Sequence, residues 1–142
     1  MYLCINFLIY IKNYYMKKAL IIFFSIPMWV CCQRQTFDEA VAAEVERFNA
    51  QEAPKRVEEV MTQDSMAYDI ATHTLSYFYT VEGLGEERFP KEQLQQQILQ
   101  HIRSSIQLKT HKEHDVSFRY RYMGRQGGNV LLDLTVRPED YK

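Results

Sequence analysis

Apolar residues recur with two different periods along this chain. Phe37, Val41, Val45 and Phe48 are spaced by four, four and three residues, which places them on one face of a helix over residues 37–52. Thr36-Phe37-Asp38-Glu39 opens it with the residue types of a capping box, and Pro54 stops it. Leu94, Ile98, Ile102 and Ile106 recur at spacing four, with Leu99 beside them, and predict an amphipathic helix over 91–106 after Pro90. Three other segments alternate with period two. Asp64 to Asp69 predicts a strand near 62–70. Thr74 to Glu82 puts Leu75, Tyr77, Tyr79 and Val81 on one face, with Ser76, Phe78 and Thr80 on the other. Asp115 to Met123 sets Val116, Phe118, Tyr120 and Tyr122 against Ser117, Arg119, Arg121 and Met123. Asn129 to Val136 alternates again and ends before Pro138, so Gly124–Gly128 predicts a hairpin turn. Pairing Met123 with Asn129 would set Arg119 opposite Asp133 and Tyr120 opposite Leu132. Residues 71–73 read as a turn and 107–114 as a polar connection.

The order is therefore α-β-β-α-β-β. Two hairpins with one apolar face each need a cover. The simplest α+β architecture is a four-stranded antiparallel sheet with helices 37–52 and 91–106 on one face.

The first thirty-two residues follow a different logic. No acidic residue precedes Asp38, and all three cysteines lie at positions 4, 31 and 32. Met16-Lys17-Lys18 leads into the apolar run Ala19 to Val30, a basic start and a short hydrophobic stretch of secretory-signal type. That run is shorter than the ~20 residues a membrane helix needs. Residues 1–15 are not a normal signal start, and Met16 is the expected first residue, with a long signal-anchor from Met1 as the alternative. The run ends at Cys31-Cys32-Gln33 and resembles the signal of a bacterial lipoprotein precursor, whose cysteine becomes the lipid-modified first residue. Trp29 stands where leucine is usual before Cys32, and Cys31 where a small residue is usual. Cys32 fits the pattern better than Cys31, and ordinary cleavage near this point is the rival. The expected organisation is an extension (1–15), a signal (16–32), a spacer (33–36) and one domain (37–142).

Loss of residues 1–31 removes three lysines and no acid, and moves the net charge from −1 toward −4. Such a domain has no basic excess for nucleic acid and no polybasic patch for anionic lipid. It holds no cysteine after position 32, hence no internal disulfide, cysteine nucleophile or thiolate metal site.

The domain pattern is similar to small bacterial envelope lipoproteins: Pro54 after the first helix, Leu75-Ser-Tyr77-Phe-Tyr79, an amphipathic helix, Phe118-Arg-Tyr120-Arg-Tyr122, a glycine turn, and Pro138-Glu-Asp-Tyr141 at the end. Related proteins of this look often carry cysteines in the second helix and at the chain end; these are absent here. The resemblance implies an envelope location and no particular activity.

Candidate chemistry is sparse. His111 and His114, with Glu113 and Asp115, are the one cluster of metal-ligand types, in a segment that reads as a solvated loop. Glu58-Glu59 and Glu86-Glu87 lie in charged stretches, and the glycine pairs lack any phosphate-loop pattern. No catalytic residue, metal or cofactor is expected. Two binding surfaces are. Phe78, Arg119 and Arg121 share the open sheet face, and arginine with aromatics is a composition that anchors protein interfaces. Tyr77, Tyr79, Tyr120 and Tyr122 could line a ligand pocket between the sheet and helix 91–106, each ring offering an apolar body and a polar tip. The expected function is non-catalytic binding of an envelope protein by a lipid-anchored domain, with small-ligand binding as the alternative and a metal-dependent hydrolase using His111 and His114 as a third reading.

Overall fold

A computed structural model of the chain describes residues 35–125 and 128–142. The signal segment and both candidate lipidation cysteines, Cys31 and Cys32, lie outside the described residues.

Helix α1 (Phe37–Gln51) starts with the expected capping box. The Glu39 amide donates to Thr36 Oγ1 at 3.3 Å, and the Thr36 amide donates to the Glu39 carboxylate at 2.9 Å. Val41 and Val45 form its buried face. Strands β1 (Lys55–Glu58), β2 (Met61–Asp69) and β3 (Thr74–Val81) follow as an antiparallel meander. A turn of 3-10 helix at Glu86–Arg88 leads to α2 (Lys91–Ser104) and the short α3 (Lys109–Glu113). Strands β4 (Ser117–Gly124) and β5 (Val130–Val136) then form a hairpin, and α4 (Pro138–Tyr141) closes the chain.

The sheet has five strands in the order β1-β2-β3-β4-β5, which corrects the expected four. All four residues of β1 are exposed, so it carries no period-two signal to read. The all-antiparallel expectation is also corrected: β3 and β4 run parallel, with Tyr77 beside Tyr120 and Tyr79 beside Tyr122. The connection through α2 and α3 crosses over the sheet and returns to the end where β3 began, as parallel pairing requires.

The predicted pairing of Arg119 with Asp133 and Tyr120 with Leu132 shifts by two residues. Arg121 stands opposite Asp133, and Tyr120 opposite Leu134. One residue of the shift comes from the turn, where Met123 pairs with Val130; the other comes from a bulge between Met123 and Tyr122. The shift of two keeps Leu132, Leu134 and Val136 on one face with Tyr120, as alternation predicts. Ahead of the bulge the shift is one, so Val130, expected on that face, turns to the face of Met123 and is 40% exposed, while Leu131 is buried instead.

Helix α2 ends at Ser104, short of the predicted 106, and Ile106 is 86% exposed. The segment expected as a polar connection holds α3. Its Lys112 ammonium donates to the Ile102 and Arg103 carbonyls at 2.8 and 2.9 Å, closing the C-terminal end of α2.

One core joins Val41 and Val45 of α1, Ile98 and Ile102 of α2, and Leu75, Val81, Phe118, Tyr120, Tyr122 and Val136 of the sheet. The buried Tyr141 hydroxyl donates to the Val116 carbonyl at 2.9 Å and pins α4 to the start of β4. On the other side, Asn49 of α1 closes the part of β2 that β1 does not reach. Its amide donates to the Met66 carbonyl and accepts from the Met66 amide, both at 2.8 Å. Asn49→Ala removes both bonds. Because the group is exposed and water can replace it, the expected loss is about 1 kcal/mol, read from urea unfolding.

Candidate functional site

Helix α1 packs on β2, while α2 packs on β5 and α4. The two helices straddle β3 and β4, and a groove of about 670 Å³ lies between them. Tyr77, Tyr79 and Tyr120 form its floor. Glu44, Arg47 and Phe48 of α1 form one wall; His101, Leu108 and His111 form the other. The expected pocket was beneath helix 91–106. The observed one takes only His101 from that helix and is bounded mainly by α1 and the segment carrying Leu108 and His111.

Parallel pairing makes the floor. Side chains at registered positions of two parallel strands stand side by side, so the tyrosines stack as a ladder. Ring centroids are 4.9 Å apart for Tyr77 and Tyr120, and 4.8 Å for Tyr79 and Tyr122, with planes inclined by 17° and 10°. Tyr122 lies deepest, 4% exposed against Phe89 and outside the groove lining. Among the described residues these four hydroxyls make no protein hydrogen bond, unlike those of Tyr68 and Tyr141. Burial pushes the Tyr79 hydroxyl up to about 12. Burial first, and then neighbouring tyrosines, push Tyr77, Tyr120 and Tyr122 in the same direction. The floor is therefore a strip of neutral phenols free to bind a guest.

His111 completes the wall. Both of its ring nitrogens are buried and have no partner among the described residues. Burial holds its imidazole below the usual value, with Glu44 opposing and His114 adding to that effect. Phe37 presents an edge to His111 at 5.7 Å and stacks on His114 at 4.0 Å. The two histidines considered as metal ligands thus stand against a phenyl ring. Among the described residues no group of three His, Cys, Asp or Glu could hold a metal ion.

These shifts make stability pH-dependent, alongside carboxylates held low such as Asp133 at the acid end. His111 is depressed, so its stabilising share is full above the unfolded value near 6.5 and is lost as pH falls. The tyrosines are raised, so theirs is full below pH 10 and is lost as pH climbs through 10 toward about 12 for Tyr79. Urea midpoints should fall at both ends. His111→Phe should remove the part of the fall that begins near pH 6.5, and leave the carboxylate part at lower pH and the alkaline limb unchanged.

Phe78, Arg119 and Arg121 come together on the sheet face opposite the tyrosines, where Phe78 registers beside Arg121. The Arg119 guanidinium donates to both Asp133 oxygens, at 2.8 and 2.6 Å. That bond holds the Asp133 carboxyl below the usual carboxylate range. Arg121 Nε is 3.9 Å from Asp133 and, among the described residues, buried without a partner. Sequence reasoning missed Glu44, Arg47, His101, Leu108 and His111 as groove walls. The one available signal was Leu108, an apolar residue isolated in a polar segment, three positions before His111 on the same helical face.

Three solved structures share this fold. The type II secretion pilotin EpsS of Vibrio vulnificus is 8% identical, with a TM-score of 0.60 over 74% of this chain and 91% of that one. The type II secretion pilotin AspS of Vibrio cholerae is 13% identical, with a TM-score of 0.56 over 72% and 90%. A Pseudomonas aeruginosa protein described as secreted, PA3611, is 11% identical, with a TM-score of 0.59 over 74% and 96%. At these identities the likeness is one of fold. Among curated proteins none matches the sequence. A family profile described as a domain of unknown function matches residues 36–132, from the capping box into the first residues of β5, and the chain belongs to that family, DUF8479.

Proposed function

We propose that this chain is an exported protein of the cell envelope, lipid-anchored through Cys32 or Cys31, that works by binding another envelope protein and performs no catalysis. The observation that carries this reading is the fold shared with two type II secretion pilotins, over more than nine-tenths or nine-tenths of those chains. The signal-like residues 16–32 support export and anchoring. The partner-binding surfaces in this reading are the open face with Phe78, Arg119 and Arg121, and the groove. The test is purification of the untagged chain from native membranes, with intact mass and partner content measured together. An acylated chain starting at Cys31 or Cys32, with a second envelope protein in fixed ratio, supports the reading. An unmodified chain that purifies alone under every mild condition rejects it.

The groove itself favours a second reading, a small-ligand site floored by Tyr77, Tyr79 and Tyr120. Its volume of about 670 Å³ is within the range of ligand pockets, about 300–1,000 Å³. Native mass spectrometry should then show a bound compound of a few hundred daltons (~300–500), lost when Tyr77→Trp narrows the groove. A bare mass for the chain as isolated from cells rejects this reading.

A further inference from the structure

We propose that the outer edge of β5 accepts an extended segment of the partner polypeptide as a sixth strand. This rests on the reading of the chain as a protein-binding module and goes beyond it, adding a third contact surface to the open face and the groove.

The two edges of the sheet are built differently. On the β1 side the edge strand is four residues long, fully exposed, carries Lys55, Arg56 and Glu58, and has an irregular register with β2. Asn49 occupies the Met66 backbone beyond it. These are the devices that keep a sheet edge from pairing with another chain. The β5 side carries fewer: a bulge at Leu131 interrupts its start, and Leu132–Val136 beyond it pairs regularly with β4. Val130–Val136 is seven residues long, contains neither proline nor lysine, and has no strand on its outer side among the described residues. Its one charge, Asp133, is turned to the open face and held by Arg119. Alternate backbone N–H and C=O groups along this edge face outward, and an added strand satisfies them in series.

Beside that edge lies a cavity of about 540 Å³. Leu99 of α2 and Leu134 and Val136 of β5 give it an apolar floor, and Gln95, Gln96 and Arg103 form its rim. Leu99 and Leu134 are half-buried, so both present apolar surface there. A strand laid against β5 points every second side chain toward this cavity and the others toward the face that carries Asp133 and Thr135. The fitting segment is therefore one that alternates apolar and polar residues over five to seven positions (about one strand's length).

Helix geometry separates this occupant from a second copy of the chain. Because α2 packs on β5, pairing β5 with its own copy would set two α2 helices over strands about 4.8 Å apart. Packed helices need about 8–10 Å. A bare extended segment brings no helix with it.

The test uses the full chain in its native envelope with a photoreactive benzoylphenylalanine placed singly at Thr135 (β5 edge), Phe78 (open face) or Glu44 (groove wall). The expected result is an adduct from Thr135 with a second polypeptide, whose cross-linked segment alternates apolar and polar residues. Leu99→Glu should cut its yield at least tenfold, and the gentler Leu99→Gln by a smaller factor, with thermal melts confirming that both variants fold. A Thr135 adduct of the chain with itself, one lacking the alternation, or one indifferent to both Leu99 variants overturns the proposal. Adducts from Phe78 or Glu44 alone overturn the edge and leave the binding reading standing. No adduct from any position overturns both.

Discussion

Replacing Phe118 by alanine is expected to cost about 3–5 kcal/mol of folding free energy, the usual range for deleting a fully enclosed phenyl ring. Phe118 is 0% exposed and sits where the elements meet. Its ring lies 5.8 Å from Tyr141 of α4 and 6.4 Å from His111 of α3. On its own strand it pairs with Leu75 of β3 and Val136 of β5. Collapse around the void is limited, because four elements would have to move together. A domain of this size holds about 5–15 kcal/mol in all, so the variant should lose about a fifth or more of its stability. The urea midpoint measures the loss, and a change under about 1 kcal/mol would mean that the core is not packed as described. The contrasting variant is Arg119→Ala. It removes an ion pair whose side chains are 41% and 32% exposed, and water and salt reduce such a pair to about 0–1 kcal/mol.

Removal of the proposed anchor has the second large expected effect. When export is driven by a cleavable leader so that the mature chain begins at Gln33, membrane retention should fall to background. Acyl chains contribute roughly 0.8 kcal/mol per buried methylene, and two or more chains hold a protein stably on a bilayer. Little else in the domain substitutes for them. Its net charge is near −4, and among the described residues no helix is long and apolar enough to cross a membrane. In the native leader, Cys32→Ser should abolish fatty-acid incorporation if Cys32 is the modified residue, with Cys31→Ser as the matched comparison. Incorporation that survives in both single variants and in the double variant would reject lipidation at this pair. Retention of the Gln33 form in the membrane fraction would shift attention to a protein partner as the tether.

Much of the fold was legible in short-range pattern. The capping box at Thr36, the helix faces of Val41 and Val45 and of Ile98 and Ile102, and the faces of three strands follow from spacing alone. A side chain's face depends only on its own element's period. The tyrosine set is a case in point. That Tyr77, Tyr79, Tyr120 and Tyr122 share the helix-covered face follows from alternation on two strands. That Tyr77 stacks on Tyr120 and Tyr79 on Tyr122 follows from parallel pairing, which no local pattern encodes. Strand β1 escaped notice because an edge strand exposed on both faces has no hydrophobic period. The β4–β5 register slipped by two because the turn contributes one residue and a bulge the other. Both depend on how the hairpin packs, whereas face assignment survives any even shift.

The sequence by itself determined most of the residues of this protein that lie inside, the main elements they form, and the basic, apolar and cysteine-bearing segment that precedes the domain. Those are matters of local periodicity and composition, set by contacts a few residues apart. The tertiary structure alone decided the strand order and direction, the groove between α1 and α2, its walls at Glu44 and His111, and the contrast between a guarded sheet edge at β1 and an open one at β5. Each of these depends on where a crossover returns and on which strand a helix comes to rest, and that is settled by burying all the apolar faces at once.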